Sequence, residues 1–141
     1  MSDNELKLTR RAKVFLSLAL AAFLLGNAIA LFIYYAFYTE TPSYTAENIQ
    51  NPIASMAFLG TILAQVVGCT LTAGIGNALS ILLSSFSIFF SSKAACACSH
   101  TPPCRSARVL KPLSITLLIV SIVALLLTLP TYFLLSFFLG V

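Results

Sequence analysis

The chain has 141 residues, of which 59% are hydrophobic and only 9% charged, with a net charge of +4. A soluble domain of this size has too little interior to hide so much apolar surface, so a water-soluble fold is excluded. The eight basic residues lie in two clusters outside the apolar runs. That placement suits lipid headgroups at a membrane surface and argues against a nucleic-acid partner.

Residues 1–13 form a polar tail that ends in Lys7, Arg10, Arg11 and Lys13. The first apolar run, 14–38, is long enough to span a bilayer, which needs about twenty apolar residues as a helix. It has a basic start but no small-x-small cleavage site behind it, so it is expected to be an uncleaved anchor. Tyr34, Tyr35 and Tyr38 cluster at its far end, as an interfacial aromatic belt does. Residues 39–52 form an acidic loop with Glu40 and Glu47 and no Lys or Arg.

The run 53–92 contains forty residues without a charge. As one straight helix it would be about 60 Å long, twice the hydrocarbon thickness of about 30 Å. It can cross twice, with a turn at Ala73-Gly74-Ile75-Gly76-Asn77, or once, with the serine-rich remainder in the interface, re-entering, or projecting to pack on partners. Residues 93–111 then form a basic, cysteine-bearing loop, and 112–141 the last span. Pro112 is expected in the first turn of that span, and Pro130 is expected to kink or break it.

Charge and length pull the topology in opposite directions. With one crossing of 53–92, all eight basic residues fall on one side and the loop with Glu40 and Glu47 on the other. With two crossings they split evenly and no bias remains. The tendency of Lys and Arg to stay cytoplasmic favours the first arrangement. The expected fold is an all-α integral membrane protein, a small multi-pass bundle of three crossings, alternatively four. It forms a single membrane domain with a cytoplasmic N-terminus.

Small residues recur at every fourth position in the long run: Gly60, Ala64, Gly68, Thr72, Gly76, Ser80 and Ser84. In lipid such residues let helix backbones approach closely. A spacing of four drifts about 40° per step around a helix of ~3.6 residues per turn, so the stripe winds and suits a right-handed crossing. About half of the run is Gly, Ala, Ser or Thr, so part of the register can arise by composition alone. Asn27 and Gln65 each sit near the middle of an apolar span and are expected to bond to one another across helices. Polar lining of a pore is the other reading of these two amides.

Cys96, Cys98, His100 and Cys104 have the spacing C-x-C-x-H-x3-C, which is not a structural zinc pattern. No metal or other cofactor is expected. On the cytoplasmic side Cys96, Cys98 and Cys104 are candidates for S-palmitoylation; on the other side two of them could form a disulfide. Cys69, inside the apolar run, reads as a small buried hydrophobe. Asp3, Glu5, Glu40 and Glu47 are far in sequence from the one histidine, no phosphate loop is present, and no ionisable side chain lies in a span. The chain is therefore not expected to be an enzyme. The expected function is a non-catalytic structural, assembly or regulatory subunit of a larger membrane complex, with the bilayer and other membrane proteins as partners. The other reading is a homo-oligomeric channel lined by Ser, Thr, Asn and Gln; Ser80, Ser84, Ser87 and Ser91 would face its lumen.

Overall fold

The computed structural model describes residues 3–40, 51–97 and 104–139. They form three α-helices: α1 (Asp3–Glu40), α2 (Pro52–Ala97) and α3 (Cys104–Leu139). Each is long and apolar enough to cross a membrane, over Leu6–Phe37, Pro52–Cys96 and Arg108–Leu135. The chain is thus a multi-pass three-helix bundle, and the four-crossing reading does not hold. Residues 73–77 make no turn, because α2 continues through them. Apolar length counted from sequence records the environment of a helix and is blind to whether the backbone reverses.

The helices also extend past the apolar runs. α1 begins at Asp3, within the expected tail, and α3 begins at Cys104, eight residues before Pro112. Lys, Arg, Ala and Leu are good helix formers in water, so the helices continue beyond the hydrocarbon boundary that hydropathy detects. Pro112 and Pro130 both lie inside α3, which is continuous through them. At the start of α2, Asn51 acts as the cap: its side-chain oxygen accepts the Ile53 N–H at 3.1 Å, and its carbonyl accepts the Ser55 N–H at 3.1 Å. Pro52 follows in the first helical position, where its missing N–H removes nothing from the helix.

α2 lies between the other two helices and runs antiparallel to both. Ser87 bonds to Ala12 on α1 and to Ser114 on α3, while at the other end Gln65 bonds to Tyr34. α1 and α3 meet near their C-terminal ends, where the Tyr34 hydroxyl donates to the Leu135 carbonyl at 3.3 Å. This topology brings Lys7, Arg10, Arg11 and Lys13, then Lys93, then Arg105, Arg108 and Lys111 to one end of the bundle.

The interior is built from small residues. Ala12, Ala19, Ala30, Cys69, Ala73 and Ala94 are buried, together with a series of serines, whereas most Leu, Ile and Phe side chains face outward. A water-soluble protein has the reverse distribution. In lipid, leucine gains little by moving inward, and close backbone approach is what small residues contribute.

Three crossings require Cys96 and the N-terminus to share one side of the membrane. In a chain keeping only Cys96, or with Ser2→Cys as the only cysteine, an impermeant thiol reagent should label both from the same face of sealed vesicles. Labelling from opposite faces would contradict the topology.

Candidate functional site: a polar seam between the helices

The buried positions of α2 follow a rule. Ala73, Asn77, Ser80, Ser84, Ser87, Ser91 and Ala94 are all buried and are separated alternately by four and three residues. α1 carries Ala12, Ala19 and Gly26, and α3 carries Ser114, Ser121 and Thr128, each set spaced by seven. This is a heptad pattern, the spacing that keeps a packing seam aligned along left-handed helix pairs. Along 73–94 this spacing, not a strict spacing of four, describes the buried face of α2.

The stripe of small residues divides accordingly. Gly60 and Ala64 are exposed, and Gly60 has no neighbour within 4 Å of where a side chain would begin. A Cβ on Gly68 would meet the Ile33 side chain at 3.9 Å, and Thr72 donates to the Gly68 carbonyl at 2.8 Å. Gly76 lies against Gly26 so closely that a Cβ on either would come within 2.6 Å of the other's Cα. Ser80 then faces α3, bonding to Ser121 at 2.9 Å, and Ser84 is buried one turn further on. The drift of ~40° per step carries the stripe from the outer surface, across the α1 face, to the α3 face.

The expected Asn27–Gln65 bond is not formed. Asn27 Nδ2 instead donates to the Phe23 carbonyl at 2.7 Å and to Asn77 Oδ1 at 3.0 Å. Gln65 Nε2 donates to the Tyr34 carbonyl at 3.1 Å. Tyr34 is seven residues beyond Asn27, about 10 Å along the axis. The mismatch arises because α2 overruns its neighbours, so depth counted from the start of its apolar run places Gln65 too near mid-membrane. Both amides nevertheless bridge α1 and α2.

Hydroxyls join the other helices. Ser87 donates to the Ala12 carbonyl at 3.0 Å, Ser114 to the Leu110 carbonyl at 2.9 Å, and the two hydroxyls are 2.8 Å apart. Two hydrogens serve these three contacts, so two are made at once and the third exchanges with them. The Cys69 thiol donates to the Ala30 carbonyl at 3.3 Å, within a cluster of Ala30, Cys69, Ala73 and Tyr132. Ser91 bonds within its own helix to the Ile88 carbonyl at 3.0 Å. Ser80, Ser84, Ser87 and Ser91 therefore all lie inside the three-helix bundle. Asn77 Nδ2, Ser84 Oγ and Thr70 Oγ1 are buried without a hydrogen-bond partner among the described residues.

Cys96 is exposed near the end of α2. Cys98 and His100 lie outside the described residues, and Cys104 opens α3 with its side chain also outside them. Among the described residues no group of three His, Cys, Asp or Glu could hold a metal. Asn77, Gly26, Ser114 and Ser121 are seam residues that the sequence reading passed over. The matching seven-residue intervals, Ser80 to Ser87 and Ser114 to Ser121, are the signal that would have found the two serines on α3.

The backbone contact and the amide pair should dominate stability in detergent. Gly76→Val should cost about 3 kcal/mol or prevent folding, because the clash is with backbone. Gly60→Val, which meets only open space, should stay within about 0.5 kcal/mol of the unaltered chain. Asn27→Leu leaves the Asn77 amide buried with no protein partner and should cost about 1–3 kcal/mol; adding Asn77→Leu should recover part of that loss. Equal losses from Gly76→Val and Gly60→Val in thermal unfolding would contradict the seam.

The chain matches no protein-family model, no curated protein and no solved structure, so its functional reading rests on this geometry.

Proposed function

We propose that this chain is a non-catalytic subunit of a larger membrane complex, acting through helix packing in the bilayer. The observation that carries the reading is the overhang of α2. Its uncharged run of forty residues is about 60 Å long. Even the steepest tilt usual for spanning helices, roughly 40°, leaves it about 46 Å deep, against a hydrocarbon layer of about 30 Å.

Part of the excess lies at the end opposite the basic clusters. Gln65 is level with Tyr34, and α1 reaches only Glu40 beyond that point, while α2 extends back to Pro52. The first turns of α2 thus extend past the end of α1. Ile53 is 78% exposed, Met56 76%, Leu59 64% and Leu63 66%. An apolar helix end beyond the hydrocarbon layer favours cover by protein, and another membrane subunit supplies it. With Lys and Arg favouring the cytoplasm, the N-terminus is cytoplasmic and this contact surface lies at the far side of the membrane.

The channel reading has less support. Of the serines and amides that would line a lumen, Ser80, Ser87, Asn27 and Gln65 bond between helices within one copy and Ser84 and Ser91 are buried inside the bundle, while the outward faces of the spans are mainly Leu, Ile, Val and Phe.

Extraction in mild detergent followed by native mass analysis tests the proposal. A stoichiometric complex with a different membrane protein is expected. Ile53→Ser, Met56→Ser and Leu59→Ser together should weaken it by about tenfold or more, a loss of at least ~1.4 kcal/mol, while leaving the thermal unfolding of the bundle unchanged. A pure homo-oligomer that conducts ions in liposomes would overturn the proposal.

A further inference from the structure

The basic end of the bundle carries a feature that neither the polar seam nor the overhang uses. Lys7, Arg10, Arg11, Val14 and Phe15 line a shallow hollow of about 240 Å³ on α1. Their spacing of three and four residues places them on one face of the helix. Three cations therefore sit directly above an apolar floor. Asp3 and Glu5 precede the hollow on α1.

A second hollow, of about 310 Å³, is lined by Leu82, Ser85, Phe86 and Phe89 on α2. The two meet at an aromatic junction. Phe15 stacks on Phe90, with ring centroids 5.5 Å apart and planes within 10°, and packs tilted against Phe86 at 5.7 Å. Lys93 places its ammonium 4.5 Å from the centroid of the Phe89 ring. Three cations thus line the first hollow and Lys93 lies over a ring of the second, whose lining is mainly aromatic and aliphatic.

We propose that this α1–α2 face is a binding site for an anionic phospholipid. Lys7, Arg10 and Arg11 hold the headgroup phosphate, with charge-assisted hydrogen bonds from the guanidinium groups. One acyl chain lies along Val14 and Phe15, and across the Phe15–Phe86 junction onto Leu82 and Phe89. Lys93 closes the polar rim on the α2 side. A diffuse attraction to an anionic surface depends on how many cations are present and hardly on where they are. The site differs because its cations share one face with an apolar path between two helices. A free phosphate would use the cations and leave the floor empty. The lipid uses both.

Lipid retention by the full chain in detergent distinguishes these cases. The purified chain is titrated separately with phosphatidylglycerol, phosphatidylcholine and inorganic phosphate, and retained molecules are counted by native mass spectrometry. A single phosphatidylglycerol should be held per chain, with phosphatidylcholine held far more weakly and inorganic phosphate failing to displace the lipid. Lys7→Gln, Arg10→Gln and Arg11→Gln together should lower affinity for phosphatidylglycerol about tenfold or more. The charge-matched set Lys13→Gln, Arg108→Gln and Lys111→Gln, outside the groove, should lower it about twofold or less. Phe86→Ala with Phe89→Ala should also weaken retention, with no change in charge. For the unaltered chain, phosphatidylglycerol should raise the unfolding temperature and phosphatidylcholine should not, by mass action on the folded state. This last measurement needs no variant. Equal losses from the two charge-matched sets, equal retention of both lipids, displacement by inorganic phosphate, or an unfolding temperature indifferent to lipid type would each overturn the site.

Discussion

The bundle depends on how closely α1 and α2 approach at Gly26 and Gly76, where each Cα occupies the space that the other residue's side chain would need. Surrounded by lipid, helices gain little from hiding leucine, and association relies on dispersion contacts between surfaces that fit. Dispersion falls steeply with separation, so small residues must be aligned along the whole interface. The seven-residue intervals on the three helices achieve that alignment. At Gly26 and Gly76 no room for a side chain is left between the backbones, and the Asn27–Asn77 bond lies beside them.

Polar groups have a second role in the same seam. Serine is small enough to permit close packing, and its hydroxyl supplies a directional bond that alanine lacks. Each such bond is modest in a membrane, averaging about 0.6 kcal/mol between helices. Their value lies partly in specifying which faces meet. The Ser87 hydroxyl joins three helices at one level, since it contacts the Ala12 carbonyl on α1 and Ser114 on α3 from its own position on α2. The central position of α2 explains why its buried face is rich in serine while its outward positions carry Leu, Ile and Phe.

Much of the architecture was legible in the sequence, for identifiable reasons. Three apolar stretches and the placement of Lys and Arg were enough for the three-helix topology, because burial in lipid leaves a compositional mark that needs no knowledge of contacts. The site was less legible. Asn27 and Gln65 do bridge helices, but Asn27 meets Asn77, because register depends on where each helix enters the bilayer and α2 begins well beyond its neighbours. Gly60 and Gly76 belong to the same stripe and cannot be told apart by residue type; only the winding of the helix separates the outward glycine from the inward one. Asn77 is hidden in a segment with the composition of a turn, since Gly74, Gly76 and Asn77 in water would often form one.

The two interfaces of α2 differ in how uniquely they are defined. Against α1, the glycine contact and the asparagine pair occur once, so a displaced pairing has nothing equivalent to adopt. Against α3, the serine pairs Ser80–Ser121 and Ser87–Ser114 are copies of one another one heptad apart. Sliding α3 by seven residues would break one copy while bringing a serine of α2 opposite a serine of α3 again, so the seam alone tolerates an out-of-place assembly. What distinguishes the native alignment is the docking of Tyr132 beside Cys69 and of Leu135 against Tyr34. The third helix is thus positioned from its far end, and the two tyrosines serve as its stop.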